Sequence, residues 1–185
     1  ARIGCPSILK TTRLGYDGKG QARIKSEADS AAALAAMQGA PAVLEGFIPF
    51  THEVSVIAAR AIDGSVACYD PGENVHRDGI LHSTTVPARL TPGQRSDAIL
   101  AAARILNALD YVGVITVEMF LVEDGGATRI VVNEIAPRVH NSGHYTMNAC
   151  DQSQFELQVR TLAGLPLTQP RQHSPAIKIG RASCR

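Results

Sequence analysis

The sequence predicts a mixed α+β domain in which antiparallel hairpins alternate with capped helices. Three observations carry this reading. Hydrophobic residues make up 45% of the 185, enough to bury a core, and charged residues at 19% are too few for a disordered chain. Pairs of strand-like segments flank glycine-bearing turns at Asp63-Gly64 and at Glu123-Asp124-Gly125-Gly126-Ala127. Three further segments open on capping residues and continue in helix-forming or helically spaced apolar residues.

The elements follow in order. Ile8-Leu9 forms a short apolar strand ending at Lys10, and the glycine-rich run Gly15-Tyr16-Asp17-Gly18-Lys19-Gly20-Gln21 comes next. Ser26 to Gln38 reads as an alanine-rich helix with Ser26 as N-cap, Glu27 and Asp29 in its first turn and Gly39 just beyond it. After Pro41, residues 42–48 read as a strand. Glu53 to Ala61 and Ser65 to Tyr69 read as a hairpin with a two-residue Asp63-Gly64 link. Residues 70–89 lack a clear period and are read as loop, with a short strand at Gly79 to Val86. Thr91-Pro92-Gly93-Gln94 is a capping box with proline at the first helical position, opening a helix with apolar Ile99, Ala102, Ala103, Leu106 and Leu109. Val112 to Val122 and Ile130 to Ile135 form the second hairpin. Ser153 to Ala163 is a further helix, with Ser153 and Glu156 as its box and Gly164 closing it. From Pro166 onward the polar, proline-bearing stretch suits a linker.

Eighteen basic and seventeen acidic side chains leave a formal charge of +1, which gives no footprint for nucleic acid. Four aromatic residues in each hundred, with no tryptophan, also weigh against stacking platforms for single strands. No apolar run approaches the ~20 residues that cross a bilayer, and the opening Ala1 to Pro6 does not read as a signal peptide. Cys5, Cys68, Cys150 and Cys184 stand far apart, so neither a zinc site nor a disulfide framework is supported and a reducing cytoplasm fits. The glycine-rich run lies so near the first residue that the chain is expected to be a fragment.

The second hairpin holds the most informative geometry. A turn centred near Gly126 sets Glu118 opposite Glu134, where like charges ~4.5–5.5 Å apart at Cβ destabilise a sheet. Both strands are otherwise apolar, so partial desolvation penalises the anions further. A divalent cation resolves both costs, and hard oxygen ligands favour magnesium or manganese. Asn133 would add a neutral oxygen. A register one residue different would instead turn one glutamate to solvent. Against that stands the neighbouring string Arg138-Val139-His140-Asn141-Ser142-Gly143-His144, rich in groups that bind phosphate or carboxylate oxygens.

Successive backbone N–H groups of the glycine run can converge on an anion, with Lys19 and Lys10 as point charges. It matches neither a Walker A loop nor a Rossmann fingerprint, and a tight hairpin with a solvated lysine accounts for it equally well. Glu45-Gly46-Phe47-Ile48 and Glu53 place two acids around a strand exit, suited to an adenine edge and ribose hydroxyls, although each reads singly as a surface glutamate. His76 is unremarkable by itself.

Taken in this order, Lys10, Gly15–Gln21, Glu45–Ile48, Glu53-Val54-Ser55, Asn74–Leu81, Val117–Phe120 and Asn133–His144 resemble the 5-(carboxyamino)imidazole ribonucleotide synthases of the ATP-grasp superfamily. The likeness runs from about Cys5 to about Pro170. It implies a partial ATP-grasp fold, an antiparallel sheet with flanking helices. Residues 1–46 would be the remainder of the small subdomain, 47–165 the large subdomain, and 166–185 a linker and the start of a truncated C-terminal domain. Lys10, Gly15, Tyr16, Asp17, Gly18, Lys19, Gly20 and Gln21 would hold the phosphates of ATP. Glu45, Gly46, Phe47 and Ile48 would line the adenine, Glu53 would bind the ribose, and His76, Asn133 and Glu134 would complete the nucleotide site. Glu118 and Glu134 would ligate magnesium or manganese. Tyr16, Asp17, Arg138, His140 and Asn141 would face the aminoimidazole ribonucleotide or bicarbonate, with Arg138, His140 and Asn141 as the catalytic set. The implied enzyme is a cytoplasmic carbon–nitrogen ligase of purine biosynthesis, with no nucleic-acid or membrane partner and, as is frequent in the family, a homodimer. Another ATP-grasp ligase or a non-catalytic Mg-ATP module are the alternatives. The family's N-terminal domain and the first part of its ATP-grasp domain have no counterpart here, and Lys178 to Arg185 departs from the apolar strand expected after Ser174-Pro175-Ala176-Ile177. On this reading the isolated chain would not complete a turnover.

Overall fold

The computed structural model describes residues 3–13, 15 and 19–180. They divide into two units, Ala1–Pro49 with His76–Ile80, and Phe50–Val75 with Leu81–Arg185.

In the first unit, β1 (Ser7–Thr11) is the middle strand of an antiparallel sheet, flanked by β2 (Gln21–Ile24) and β3 (Ala42–Gly46). The predicted helix at 26–38 is realised in two pieces, a 3-10 turn at Glu27–Asp29 and then α1 (Ser30–Ala36). The Asp29 carboxylate accepts from the backbone N–H groups of Ser26 and Lys25, both at 2.9 Å, and this local bonding draws the first turn tight. Among the described residues, Ile24, Ala33 and Met37 are the buried apolar residues of this unit.

The second unit is built on a seven-stranded antiparallel sheet, comprising β4 (His52–Arg60), β5 (Val66–Cys68), β6 (Gly72–Arg77), β7 (Ile80–Val86), β8 (Gly113–Asp124), β9 (Ala127–Ala136) and β10 (Ala176–Ile179). Its order is β10-β7-β6-β4-β8-β9, with β5 paired to β4. The β4–β5 link is longer than the expected two residues. Arg60 pairs with Val66, and Gly64 N–H donates to Ala61 C=O at 3.0 Å.

The larger departure is β6, which occupies residues read as loop. Its polarity hid it: buried Glu73 is met by the Arg89 guanidinium, and buried Asn74 accepts from Thr84 Oγ1 at 2.9 Å. The stretch after Pro166 is likewise more than a linker. Gln169 Oε1 accepts from Cys68 N–H at 3.2 Å and its Nε2 donates to Cys68 C=O, while β10 pairs with β7 from Ala176↔Val86 to Ile179↔Ser83.

Helix α2 (Pro92–Ala108) begins at the expected capping box, Thr91 Oγ1 accepting from Gln94 N–H and Gln94 Oε1 from Thr91 N–H. It covers one face of the sheet, packing Ala98, Ala102 and Leu106 against Val54, Val56, Ala58, Ile115, Val117, Met119 and Leu121. The opposite face is partly covered by α3 (Thr146–Ala149) and α4 (Gln154–Leu162), where Leu157, Ala149 and Tyr145 pack with Ile57, Ala59 and Val114. Ser153 caps α4 by accepting from Glu156 N–H, but the Glu156 carboxylate accepts from Arg160 Nε at 3.0 Å instead of closing a box. Strand β8 is buried on both sides for most of its length, and before Glu123 only Thr116 and Glu118 interrupt its apolar residues. Among the described residues no helix is long and apolar enough to cross a membrane.

Candidate functional site

Residues on one face of β4 and β8 define the candidate site in the second unit. Side chains alternate along a strand, so Glu53 and Ser55 share a face of β4, and Thr116, Glu118 and Phe120 share the matching face of β8. Ser55 pairs with Glu118 and Glu53 with Phe120 across the ladder. Phe120 stacks flat on Phe50, ring centroids 4.3 Å apart, at the edge of this patch. Glu118 is 4% exposed, and one of its carboxylate oxygens lies within 4.8 Å of one from Glu53.

On the other side of Glu118 the β8–β9 ladder pairs it with Glu134. That pairing depends on a β-bulge. The tip is a two-residue turn, Gly125-Gly126, with φ of 59° and 89°, closed by the pair Asp124↔Ala127. From there the ladder runs regularly to Met119↔Val132, and an unbroken register would set Glu118 against Asn133. The bulge absorbs Asn133, so Glu118 meets Glu134 and both carboxylates share a face. The two sites differ in setting: Glu118 is buried in a central strand, while Glu134 is exposed on an edge strand.

A loop after β9 closes over Glu118. His140 Nε2 stands 3.5 Å from Glu118 Oε1, its Nδ1 lies 2.9 Å from Ser142 Oγ, and Ser55 Oγ donates to Ser142 Oγ at 2.9 Å. The backbone of His140 is held from below by fully buried Gln154, whose Oε1 accepts from His140 N–H at 2.9 Å and whose Nε2 donates to His140 C=O at 2.7 Å. Gly143 allows this approach, because a Cβ there would overlap Ile57 Cδ1 and Gln154 Oε1. Asn141 Oδ1 and Thr116 Oγ1 are buried without a hydrogen-bond partner in the protein, as is Asn74 Nδ2 on β6. Arg138 is exposed and donates from a terminal nitrogen to Val139 C=O at 3.0 Å.

The first unit holds the other predicted residues. Lys10 lies on β1 opposite Gln21, so the glycine-rich run is the loop of the β1–β2 hairpin, with Gly20 C=O accepting from Thr11 N–H at 2.7 Å. Gly15 and Lys19 are described within that loop, whereas Tyr16, Asp17 and Gly18 lie outside the described residues. Lys10 Nζ pairs with the Glu45 carboxylate at 2.8 Å, a diagonal neighbour two positions along β3 from Val43, the residue opposite Lys10. Gly46 ends β3, Phe47 and Ile48 follow it, and the Arg23 guanidinium lies 4.3 Å over the Phe47 ring. His76, toward the end of β6, is two residues beyond Asn74.

Sequence reading named Glu53, Glu118, Asn133, Glu134, Arg138, His140 and Asn141, and gave no site role to Ser55, Thr116, Asn74, Gln154 or Arg23. Ser55 and Thr116 each stand two positions from a named glutamate, so strand alternation was the available signal. For Gln154, fixed by a fold-back contact, there was none.

A family model described as the ATP-grasp domain matches residues 1–155. The chain belongs to the ATP-grasp family. It is 52% identical over 177 residues to an N5-carboxyaminoimidazole ribonucleotide synthase of Brucella melitensis, covering 95% of this chain and 48% of that protein. Among ATP-grasp structures, an ADP complex of an N5-carboxyaminoimidazole ribonucleotide synthetase superposes with a TM-score of 0.88 at 43% identity, over 95% of this chain and 46% of the other. The Aspergillus clavatus synthase in complex with ADP and 5-aminoimidazole ribonucleotide gives 0.86 at 34% identity, over 95% and 45%. The chain thus spans about half the length of the curated relatives it matches.

Proposed function

We propose that the chain is the nucleotide- and metal-binding part of an N5-carboxyaminoimidazole ribonucleotide synthase, a cytoplasmic, homodimeric enzyme of purine biosynthesis. In the proposed reaction bicarbonate attacks the γ-phosphorus of ATP, giving ADP and carboxyphosphate. Carboxyphosphate, or carbon dioxide released from it, then carboxylates the exocyclic amine of 5-aminoimidazole ribonucleotide, and phosphate leaves. The observation that carries the reading is Glu118, a buried carboxylate with another carboxylate on each neighbouring strand. Like charges so placed are costly without a counter-cation.

Hard oxygens from Glu118 and Glu134 suit magnesium or manganese, and such an ion when bound would neutralise charge on the β- and γ-phosphate oxygens. Residues 1–46 then act as the remainder of the small subdomain, 47–165 as the large one, and 166–185 as the start of a further domain. Lys10, Lys19 and the backbone of Gly15–Gln21, Tyr16, Asp17 and Gly18 included, hold the phosphates. Glu45, Gly46, Phe47 and Ile48 line the adenine, Glu53 takes the ribose, and His76 and Asn133 border the nucleotide. Tyr16 and Asp17 of the glycine-rich run, and Arg138 and Asn141 of the loop after β9, face the ribonucleotide or bicarbonate, whereas His140, expected to join them, has its Nε2 3.5 Å from Glu118 Oε1. Carboxyphosphate is destroyed by water, so this mechanism requires a site that excludes water once the substrates are bound.

Mg-ATP is expected to raise the melting temperature of the chain, and Glu134→Ala to remove that rise; no shift at millimolar ATP overturns the reading. In the whole protein that carries this chain, ADP formation should need both the ribonucleotide and bicarbonate. Turnover on glycinamide ribonucleotide or biotin would assign a sibling ligase, and nucleotide binding indifferent to magnesium would assign a non-catalytic module.

A further inference from the structure

We propose that His140 is a positioning residue acting through Glu118, with Ser55, Ser142 and Gln154 fixing its tautomer and its place. This rests on the reading of Glu118 as a metal ligand. The argument begins with donors that have no choice. Ser142 N–H donates to His140 Nδ1 at 3.3 Å, and a peptide N–H can only donate. Nδ1 therefore offers its lone pair, and the ring proton sits on Nε2. The serine hydroxyls agree with this direction. Ser55 Oγ donates to Ser142 Oγ, which leaves the Ser142 hydroxyl hydrogen for Nδ1. The Nε2–H then faces Glu118 Oε1, between side chains only 10% and 5% exposed.

The main chain that carries the ring is held in place. Gln154 grips both the N–H and the C=O of His140, and its own N–H donates to Thr146 Oγ1 at 3.0 Å. Thr146 Oγ1 in turn donates to Gly143 C=O at 2.6 Å, which ties the loop back to α3. A donor aimed at one oxygen of a carboxylate orients the group and leaves its other lone pairs for a cation. Partners of this kind typically change metal affinity by ~10–100-fold when removed. His140 thus serves the site from beneath, through hydrogen bonding to a ligand.

Two measurements test this. The first is a long-range proton–nitrogen correlation spectrum of the 15N-histidine-labelled chain at alkaline pH. A protonated Nε2 and a bare Nδ1 at His140 are expected; the opposite tautomer, or a doubly protonated ring, overturns the proposal. The second is the affinity for Mn2+ in the presence of ADP, followed by the electron paramagnetic resonance of free Mn2+. His140→Ala is expected to weaken it by at least ~10-fold. His140→Gln, whose amide nitrogen can donate in place of Nε2, should recover most of the loss. A wild-type chain that binds no Mn2+ with ADP overturns the nucleotide reading and this proposal with it. Wild-type binding that His140→Ala leaves unchanged overturns only the role given to the ring.

Discussion

At the scale of single residues, Glu118 is a buried acid set close to a second one. Its carboxylate is buried, and a Glu53 oxygen lies within 4.8 Å. Substituting the neutral isostere keeps the acceptor that faces His140 and removes the repulsion. Glu118→Gln is therefore expected to raise the ligand-free melting temperature by about 2–4 °C, or ~1 kcal/mol, while abolishing the metal-dependent shift. A lower melting temperature in a thermal scan would refute the repulsion argument. Burial also acts on two thiols, pushing Cys68 and Cys150 each up to about 11. In the unfolded chain a thiol ionises near 9.0. Their contribution to stability is thus full below that pH and is lost as pH rises toward 11. Urea midpoints measured across this window should fall, and a Cys68→Ala, Cys150→Ala variant should show a shallower fall. At neutral pH both thiols should resist alkylation until the chain unfolds, whereas exposed Cys5 reacts. Residue types made the carboxylates legible in the sequence. Ser55 was not, because its partner Ser142 is 87 positions away.

At the scale of elements, the β8–β9 hairpin decides whether the two acids meet. A regular ladder from the Gly125-Gly126 turn would carry Glu134 to the α2 face, and the bulge at Asn133 prevents this. Deleting Asn133 is expected to leave far-ultraviolet circular dichroism close to wild type while eliminating the Mg-ATP shift. Retention of that shift would disprove the dependence on the bulge. The turn and both strands were readable from β-branched segments around two glycines, and the opposition of Glu118 and Glu134 was anticipated from a turn centred one half-step off. The extra residue made up that difference. Strand β6 escaped notice because Gly-Glu-Asn-Val-His-Arg has no apolar alternation; its buried polar groups are satisfied by Arg89 and Thr84, both distant in sequence. Asp78-Gly79, with φ of 51° and 75°, was nevertheless a hairpin signal of the same kind used elsewhere.

At the scale of the whole molecule, the α+β class and its antiparallel pairing were accessible from hairpins and caps. The place of β10 at a sheet edge was not, since four residues of modest apolarity acquire strand character only from β7 beside them. The sheet order assigns stability in turn. Central β4 and β8 should hold the slowest-exchanging amides, and edge strands β9 and β10 should exchange earlier. Hydrogen exchange read by mass spectrometry would expose any reversal of that ranking. One outcome of this gradient concerns ionic radius. A carboxylate seated in the most rigid strand faces one mounted on a border strand beside an irregularity, like a vice with one fixed jaw and one sprung. Such a grip would adjust to cations of unequal size, so manganese should replace magnesium at little loss, as a stiff cage of matched dimensions would not permit.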